Sequence, residues 1–198
     1  MLINGSRLID CPILSLHVGG EIARVTELVI DPNSLKLIAF RVEGPLVRDE
    51  VGDILPIESV REFSTHGAIV DSIDELIDGE EVVRVRDILK LNFSLTGLKV
   101  ITKKKVKLGK VSDFILDTSS WQVHQLIVQR PLMKSFLDPE LILPRQKIVE
   151  VNDYEVIVKD ETEKSSKKAT APVATDFVPN FINPFREPDF ASELETKS

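Results

Sequence analysis

The sequence predicts an all-β (mainly β) protein of two small β-barrels in tandem, followed by a disordered C-terminal tail. Three observations predict it: an internal duplication, strand periodicity within each copy, and a change of composition after residue 159. The segment Arg24-Val25-Thr26-Glu27-Leu28-Val29-Ile30-Asp31 returns 86 positions later as Lys110-Val111-Ser112-Asp113-Phe114-Ile115-Leu116-Asp117. The register then holds, with Leu35 meeting Trp121, Leu37 meeting Val123, Phe40 meeting Leu126 and Val42 meeting Val128. After two extra residues in the second copy, Ile54-Leu55-Pro56 meets Ile142-Leu143-Pro144, and Ala68-Ile69-Val70 meets Val156-Ile157-Val158. A repeat of this kind sets domain number before any secondary-structure argument.

Within each copy, residues 22–30 and 108–116 alternate apolar and polar side chains, and residues 35–42 and 121–128 are rich in branched and aromatic ones. Both patterns suit a strand with one buried face. Between them stand Asp31-Pro32-Asn33-Ser34 and Asp117-Thr118-Ser119-Ser120. An aspartate there can accept hydrogen bonds from N–H groups two residues on, so each copy should contain a hairpin. Pro45 and Pro131 close the second strand, because proline has no N–H for a ladder. Short segments follow, ending in strands at 68–71 and 155–159. Five or six short strands at this spacing suggest a small barrel. Leu28, Leu37, Phe40 and Leu55 should be buried like Phe114, Val123, Leu126 and Leu143. The expected organisation is a first barrel at 4–80, a connector with a short helix at 81–97, a second barrel at 98–159 and a flexible tail at 160–198.

The chain has 198 residues and a net charge of −7. Domains of roughly 75–80 residues bury only about 60 % of their unfolded surface and are marginal alone, so packing of the copies against each other is expected. Residues 1–91 carry 9 basic and 17 acidic side chains, whereas residues 92–159 carry 11 basic and 7 acidic. Either the copies attract one another, or the second faces an anionic partner. The single cysteine excludes a disulfide framework. No stretch approaches the roughly 18 apolar residues of a membrane span, and the first residues lack the pattern of a secretory signal. A cytoplasmic protein is expected.

A strand with a glycine and a basic-Val pair (Gly109-Lys110-Val111), an apolar run ending in Asp117, a second apolar strand, a Leu-Pro and a closing Val-Ile-Val together resemble the PRC-barrel family. The resemblance covers residues from about 4 to 159 and implies a tandem PRC-barrel protein. The first copy has Ala23 where the family favours glycine, and Gly19-Gly20 is expected to take that role. The family's members are similar to the cytoplasmic domain of the photosynthetic reaction-centre H subunit, to the C-terminal domain of a ribosome maturation factor, and to small adaptors. What this implies is docking onto proteins, with no catalytic residues to carry over.

Candidate chemical groups are few. His17, His66 and His124 lack the short spacings of metal ligands. Cys11 beside Pro12 reads as a small hydrophobe. Asp31 and Asp117 read as turn caps rather than an acid–base pair. No catalytic residue, cofactor or metal is assigned. Lys103, Lys104, Lys105, Lys107 and Lys110 form a basic cluster, either a solvated turn or an anion or RNA contact, and no aromatic residues interleave as stacking platforms. The tail after the polar linker holds Phe177, Phe181, Phe185, Arg186 and Phe190, four of the nine phenylalanines lying in the last 22 residues. Pro179 and Pro184 oppose a helix, leaving an extended peptide with aromatic anchors for a groove or sheet edge, or one that covers a seam of its own barrels. The reading is a non-enzymatic adaptor whose partner is another protein, with a homodimer open. A ribosome- or RNA-associated maturation factor using the second barrel's lysines is the alternative.

Overall fold

Two turns of the form Asp-x-x-Ser each fold a pair of long strands back on one another, and the rest of the chain is arranged around them. The computed structural model describes residues 1–47, 52–80, 82–131 and 139–160. In chain order the elements are β1 (Leu2–Asn4), β2 (Pro12–Ser15), β3 (Gly20–Asp31), β4 (Lys36–Glu43), β5 (Ile54–Pro56), β6 (Glu62–Ser64) and β7 (Gly67–Val70). A nine-residue helix, α1 (Val83–Leu91), follows. Then come β8 (Lys99–Thr102), β9 (Lys107–Asp117), β10 (Gln122–Gln129), β11 (Glu140–Pro144), β12 (Ile148–Val151) and β13 (Glu155–Val158).

The two halves pair their strands identically. In the first, β2–β3, β3–β4, β4–β5 and β6–β7 are antiparallel and β2–β7 is parallel. In the second, β8–β9, β9–β10, β10–β11 and β12–β13 are antiparallel and β8–β13 is parallel. Register repeats as well: Leu28 faces Phe40 as Phe114 faces Leu126, and Phe40 faces Leu55 as Leu126 faces Leu143. Even the irregularities match. The β3–β4 ladder slips at Thr26 and Ile38, and the β9–β10 ladder slips at Ser112 and His124. The Thr26 hydroxyl donates to the Arg41 carbonyl at 3.3 Å, and the Ser112 hydroxyl donates to the Ile127 carbonyl at 3.1 Å. A bulge leaves ladder groups unpaired, and a short hydroxyl side chain satisfies one of them in both halves.

All thirteen strands belong to one sheet, ordered β12-β13-β8-β9-β10-β4-β3-β2-β7-β6, with β1 on β9, β11 on β10 and β5 on β4. Closed barrels were expected, and the ladder corrects this: the sheet does not close on itself. In each half the open position lies between β5 and β6 or between β11 and β12. There the chain runs from Pro56 or Pro144 into one turn of 3-10 helix, Ile57–Ser59 or Arg145–Lys147. Proline donates no ladder bond and the turn redirects the chain.

The core runs continuously through Met1–Asp160, which pack as one compact unit. Leu37, Phe40, Leu55, Val123 and Leu126 are fully buried, and Phe114 and Leu143 nearly so. Leu28 is only half-buried, at the edge of that core. Val29, Ile38, Ala39 and Ile54 form a second cluster beneath Val85, Ile88 and Leu89 of α1. The matching positions of the second half include His124, Gln125 and Ile142, the last 56 % exposed. The helix therefore covers one half only, where the outer residues are apolar.

The glycine that sets the second half apart answers a packing constraint. A Cβ on Gly109 would lie 2.0 Å from the Gln129 carbonyl oxygen. In the first half Ala23 stands there instead, and the glycine has moved across the ladder: a Cβ on Gly44 would lie 2.5 Å from the Ile22 carbonyl oxygen. Gly19-Gly20 was expected to compensate for Ala23, but a Cβ on either would meet nothing within 4 Å. Gly44 relieves the crowding, and Gly19 serves its own turn at φ +72°.

Candidate functional site: a groove where the two halves meet

The halves join through their two hairpin turns. Asp31 accepts hydrogen bonds from the Asn33 N–H and the Ser34 hydroxyl, both at 2.9 Å. Asp117 accepts from the Ser119 N–H at 3.1 Å and the Ser120 hydroxyl at 3.5 Å. The Ser119 N–H, then the Ser119 hydroxyl, hold the half-buried Asp117 carboxyl below its ordinary pKa. Each turn ends on a large residue in the left-handed region, Leu35 at φ 54° and Trp121 at φ 55°. Such a conformation costs a bulky residue roughly 1–3 kcal/mol and persists only where its surroundings hold it.

What holds it is a reciprocal pair of hydrogen bonds. The Leu37 N–H donates to the Trp121 carbonyl at 2.8 Å, and the Val123 N–H donates to the Leu35 carbonyl at 2.9 Å. Exchanging each residue for its repeat counterpart turns one bond into the other, so the junction has a local two-fold symmetry.

The side chains break that symmetry. Trp121 reaches into the first half and meets Phe40 and Phe63 edge-on, with ring centroids 5.9 and 5.3 Å apart. The corresponding trio on the other side is Leu35, Leu126 and Val151. Beside it lies an open groove of about 690 Å³. Buried Leu35 and Val123 and half-buried Ile148 and Val151 line it, with Pro32, Asn33, His124, Pro144 and Gln146 around them.

The residues singled out by sequence are scattered. Phe177, Phe181, Phe185, Arg186 and Phe190 lie outside the described residues. Lys103, Lys104 and Lys105 form the exposed β8–β9 turn, and Lys107 and Lys110 are exposed on β9. Among the described residues none of the five forms an ion pair; the arginine pairs Arg24–Glu21, Arg41–Glu27 and Arg61–Asp71 all lie within the first half. Attraction between the copies through these lysines therefore gains no direct contact. His124 lines the groove at a bulge, while His17 and His66 lie in other turns. Among the described residues no group of three His, Cys, Asp or Glu side chains gathers. Burial pushes the Cys11 thiol up from its ordinary pKa, against its partial stabilisation by the Ala68 backbone and by Arg24. That is the reverse of an activated thiolate.

Sequence reasoning missed the first residues of the chain. β1 pairs with β9, and Asp113 accepts from Asn4 Nδ2 at 3.0 Å, the Ser6 N–H at 3.1 Å and the Ser6 hydroxyl at 2.7 Å. A Cβ on Gly5 would lie 2.4 Å from the Phe114 ring. The residues leading into the first half thus strap the second, as α1, leading into the second half, covers the first. Asn4-Gly5-Ser6 was the one local signal, a polar turn with no side chain at its centre.

Residues 92–164 match the PRC-barrel domain family. The second half thus carries one PRC-barrel domain, spanning β8 to β13. No curated protein matches the chain. Among the described residues no helix is long and apolar enough to cross a membrane.

Proposed function

We propose that this chain is a non-enzymatic cytoplasmic adaptor built from two PRC-type units, with its C-terminal Phe-rich segment as a linear binding motif for another protein. The observation that carries the reading is the reproduction, over residues 12–70, of every strand pairing of the PRC-barrel domain at 99–158 and of both bulges of its β9–β10 ladder. A duplicated scaffold joined at its turns offers a fixed platform, and docking is what the PRC-barrel resemblance implies. Phe177, Phe181 and Phe185 recur every four residues with prolines between them, which suits an extended peptide with aromatic anchors. Affinity purification from the native cell, after nuclease treatment, should retain one stoichiometric protein. A full-length chain with Phe177, Phe181 and Phe185 replaced by Ser should lose it while keeping its melting temperature. Retention by that variant would overturn the motif.

A second reading draws on the five exposed lysines of the β8–β9 hairpin, which lack carboxylate partners among the described residues. On that reading the chain is an RNA- or ribosome-associated factor. Its partner should then dissociate as salt rises toward about 0.3 M, since phosphate binding releases counterions. Replacing Lys103, Lys104 and Lys105 by Glu should abolish retention on ribosomes. Unchanged retention would remove this reading.

A further inference from the structure

We propose that the chain assembles head to tail, the basic strand ends in the second half of one molecule docking onto the acidic strand ends in the first half of the next.

The two ends are built alike. In the first half β2, β3 and β7 meet at the turn 16–19, and in the second β8, β9 and β13 meet at the turn 103–106. Gly19, at φ +72°, donates its N–H to the Ser15 carbonyl at 2.8 Å, and Lys105, at φ +61°, donates to the Thr102 carbonyl at 2.8 Å. The Leu16 N–H donates to the Val70 carbonyl at 3.0 Å, as the Lys103 N–H donates to the Val158 carbonyl at 3.1 Å. On this shared frame the charges are reversed. Leu14 faces Glu21 where Ile101 faces Lys107. Val70 leads into Asp71 where Val158 leads into Lys159.

The second-half end gathers lysines from neighbouring strands. The Lys159 N–H donates to the Lys147 carbonyl at 2.9 Å, so Lys147, Lys159 and Lys103 stand on successive strands, about 4.8 Å apart. Lys104, Lys105 and Lys107 continue the row, and Asp160 is the acidic neighbour in the described chain. Like charges held this close project a strong field. At the first-half end Glu21 and Asp71 are paired with Arg24 at 2.8 Å and Arg61 at 2.6 Å. Exposed Glu58, Glu62 and Asp74 add acidic charge there and form no ion pair among the described residues. Each tip also exposes apolar side chains, Leu16 and Val18 on one and Val106 on the other. Apolar groups at the centre of a charged rim are the make-up of a protein interface.

The complementary ends of one molecule do not satisfy each other. The halves are joined at the turns after Asp31 and Asp117, and each tip lies at the other end of β3 or β9, strands that span up to about 35 Å. Among the described residues Lys103, Lys104, Lys105 and Lys107 form no ion pair with the first half. Their attraction is left for another copy of the chain, which carries the matching acidic end. A contact between two different surfaces of identical molecules is heterologous, so it propagates instead of closing in a pair. The inference rests on neither reading above; it competes with RNA for the same lysines.

The test is sedimentation velocity of the nuclease-treated full-length chain at rising concentration. In about 0.1 M salt the weight-average mass should climb past that of a dimer. In about 1 M salt, where the screening length falls from about 10 to about 3 Å, it should return to the monomer. Two variants separate the ends: one with Lys103→Gln, Lys104→Gln and Lys107→Gln, the other with Glu58→Gln, Glu62→Gln and Asp74→Asn. All six positions are exposed, so the changes leave the fold intact. Each variant alone should stay monomeric. Mixed in equal amounts they should form a dimer and stop there, each supplying the end that the other lacks. A wild type that stays monomeric, a variant that assembles alone as the wild type does, or a mixture without dimer would each overturn the proposal. So would assembly that requires added RNA, which would assign the lysines to nucleic acid.

Discussion

Replacing Trp121 by Leu gives the first half the side chain that the second half already has, and so measures what the aromatic trio contributes. Trp121 makes two edge-to-face contacts, with Phe40 and Phe63. Such pairs contribute about 0.5–1.5 kcal/mol each beyond the area they bury. Leucine also covers less apolar surface; at about 25 cal/mol per Å², a loss of roughly 50 Å² adds about 1 kcal/mol. The expected destabilisation is about 2–4 kcal/mol, and for a unit of this size each kcal/mol lowers Tm by about 2–4 °C. Trp121 is the only tryptophan, so its fluorescence disappears in the variant and the assay is urea unfolding followed by far-UV circular dichroism. The midpoint should fall with an unchanged slope, the sign of altered stability rather than an altered denatured state. The mirror change, Leu35→Trp, should escape the roughly 1–3 kcal/mol cost of forcing a larger group into a filled core, because its side opens onto the groove. A loss below about 1 kcal/mol for Trp121→Leu, within the ordinary spread of surface substitutions, would refute the view that the rings hold the junction. So would a full overpacking cost for Leu35→Trp.

Two further outcomes are expected. Gly109→Ala drives a Cβ onto the Gln129 carbonyl oxygen and should cost about 1–3 kcal/mol in urea unfolding, the usual figure for overpacking; a neutral result would mean the β9–β10 ladder yields there. Asp113→Asn weakens the clasp on Asn4 and Ser6 and should cost about 1 kcal/mol, the low end for bonds to a charged group because the site is partly solvated. Burial raises the Asp113 pKa, but the bonds from Ser6, the Phe114 N–H and Asn4 outweigh it and leave the carboxyl below its ordinary value. With the folded pKa depressed, this contribution is complete above the unfolded value of about 3.9 and is lost as pH falls through the folded one. The gap between wild type and Asp113→Asn should therefore be constant from about pH 7 to 5 and close below about pH 4. A gap that widened on acidification would refute the assignment.

Much of the fold was legible because it is written twice. Alternation in residues 22–30 and 108–116, with turn chemistry after each, is enough to place β3, β4, β9 and β10. The duplication carries the register, since Leu28–Phe40 and Phe114–Leu126 face each other as their alignment requires. The open sheet was not legible: whether β5 bonds β6 depends on the direction taken by a single 3-10 turn. The exchange of Ala23 and Gly44 was hidden too, because the compensating residue lies far along the chain and across a ladder. The strap of residues 2–6 escaped notice because it belongs in space to the other half. As for the groove, every residue needed to notice it is aligned in the repeat. What periodicity cannot show is that Trp121 and Leu35 cross over at a shared turn, each serving the half it does not belong to.

That crossing gives the duplication a consequence for function. In two separate domains, the change from Phe63 to Val151 or from Phe40 to Leu126 would alter only a local core. Here the reciprocal bonds between residues 35, 37, 121 and 123 hold the backbone in one geometry whichever side chains it carries. Divergence of the copies is therefore expressed as filled space on one side of the axis and open space on the other. The filled side fixes how the halves are joined, through rings that contribute about 1–3 kcal/mol as pairs. The open side keeps the same walls without the rings.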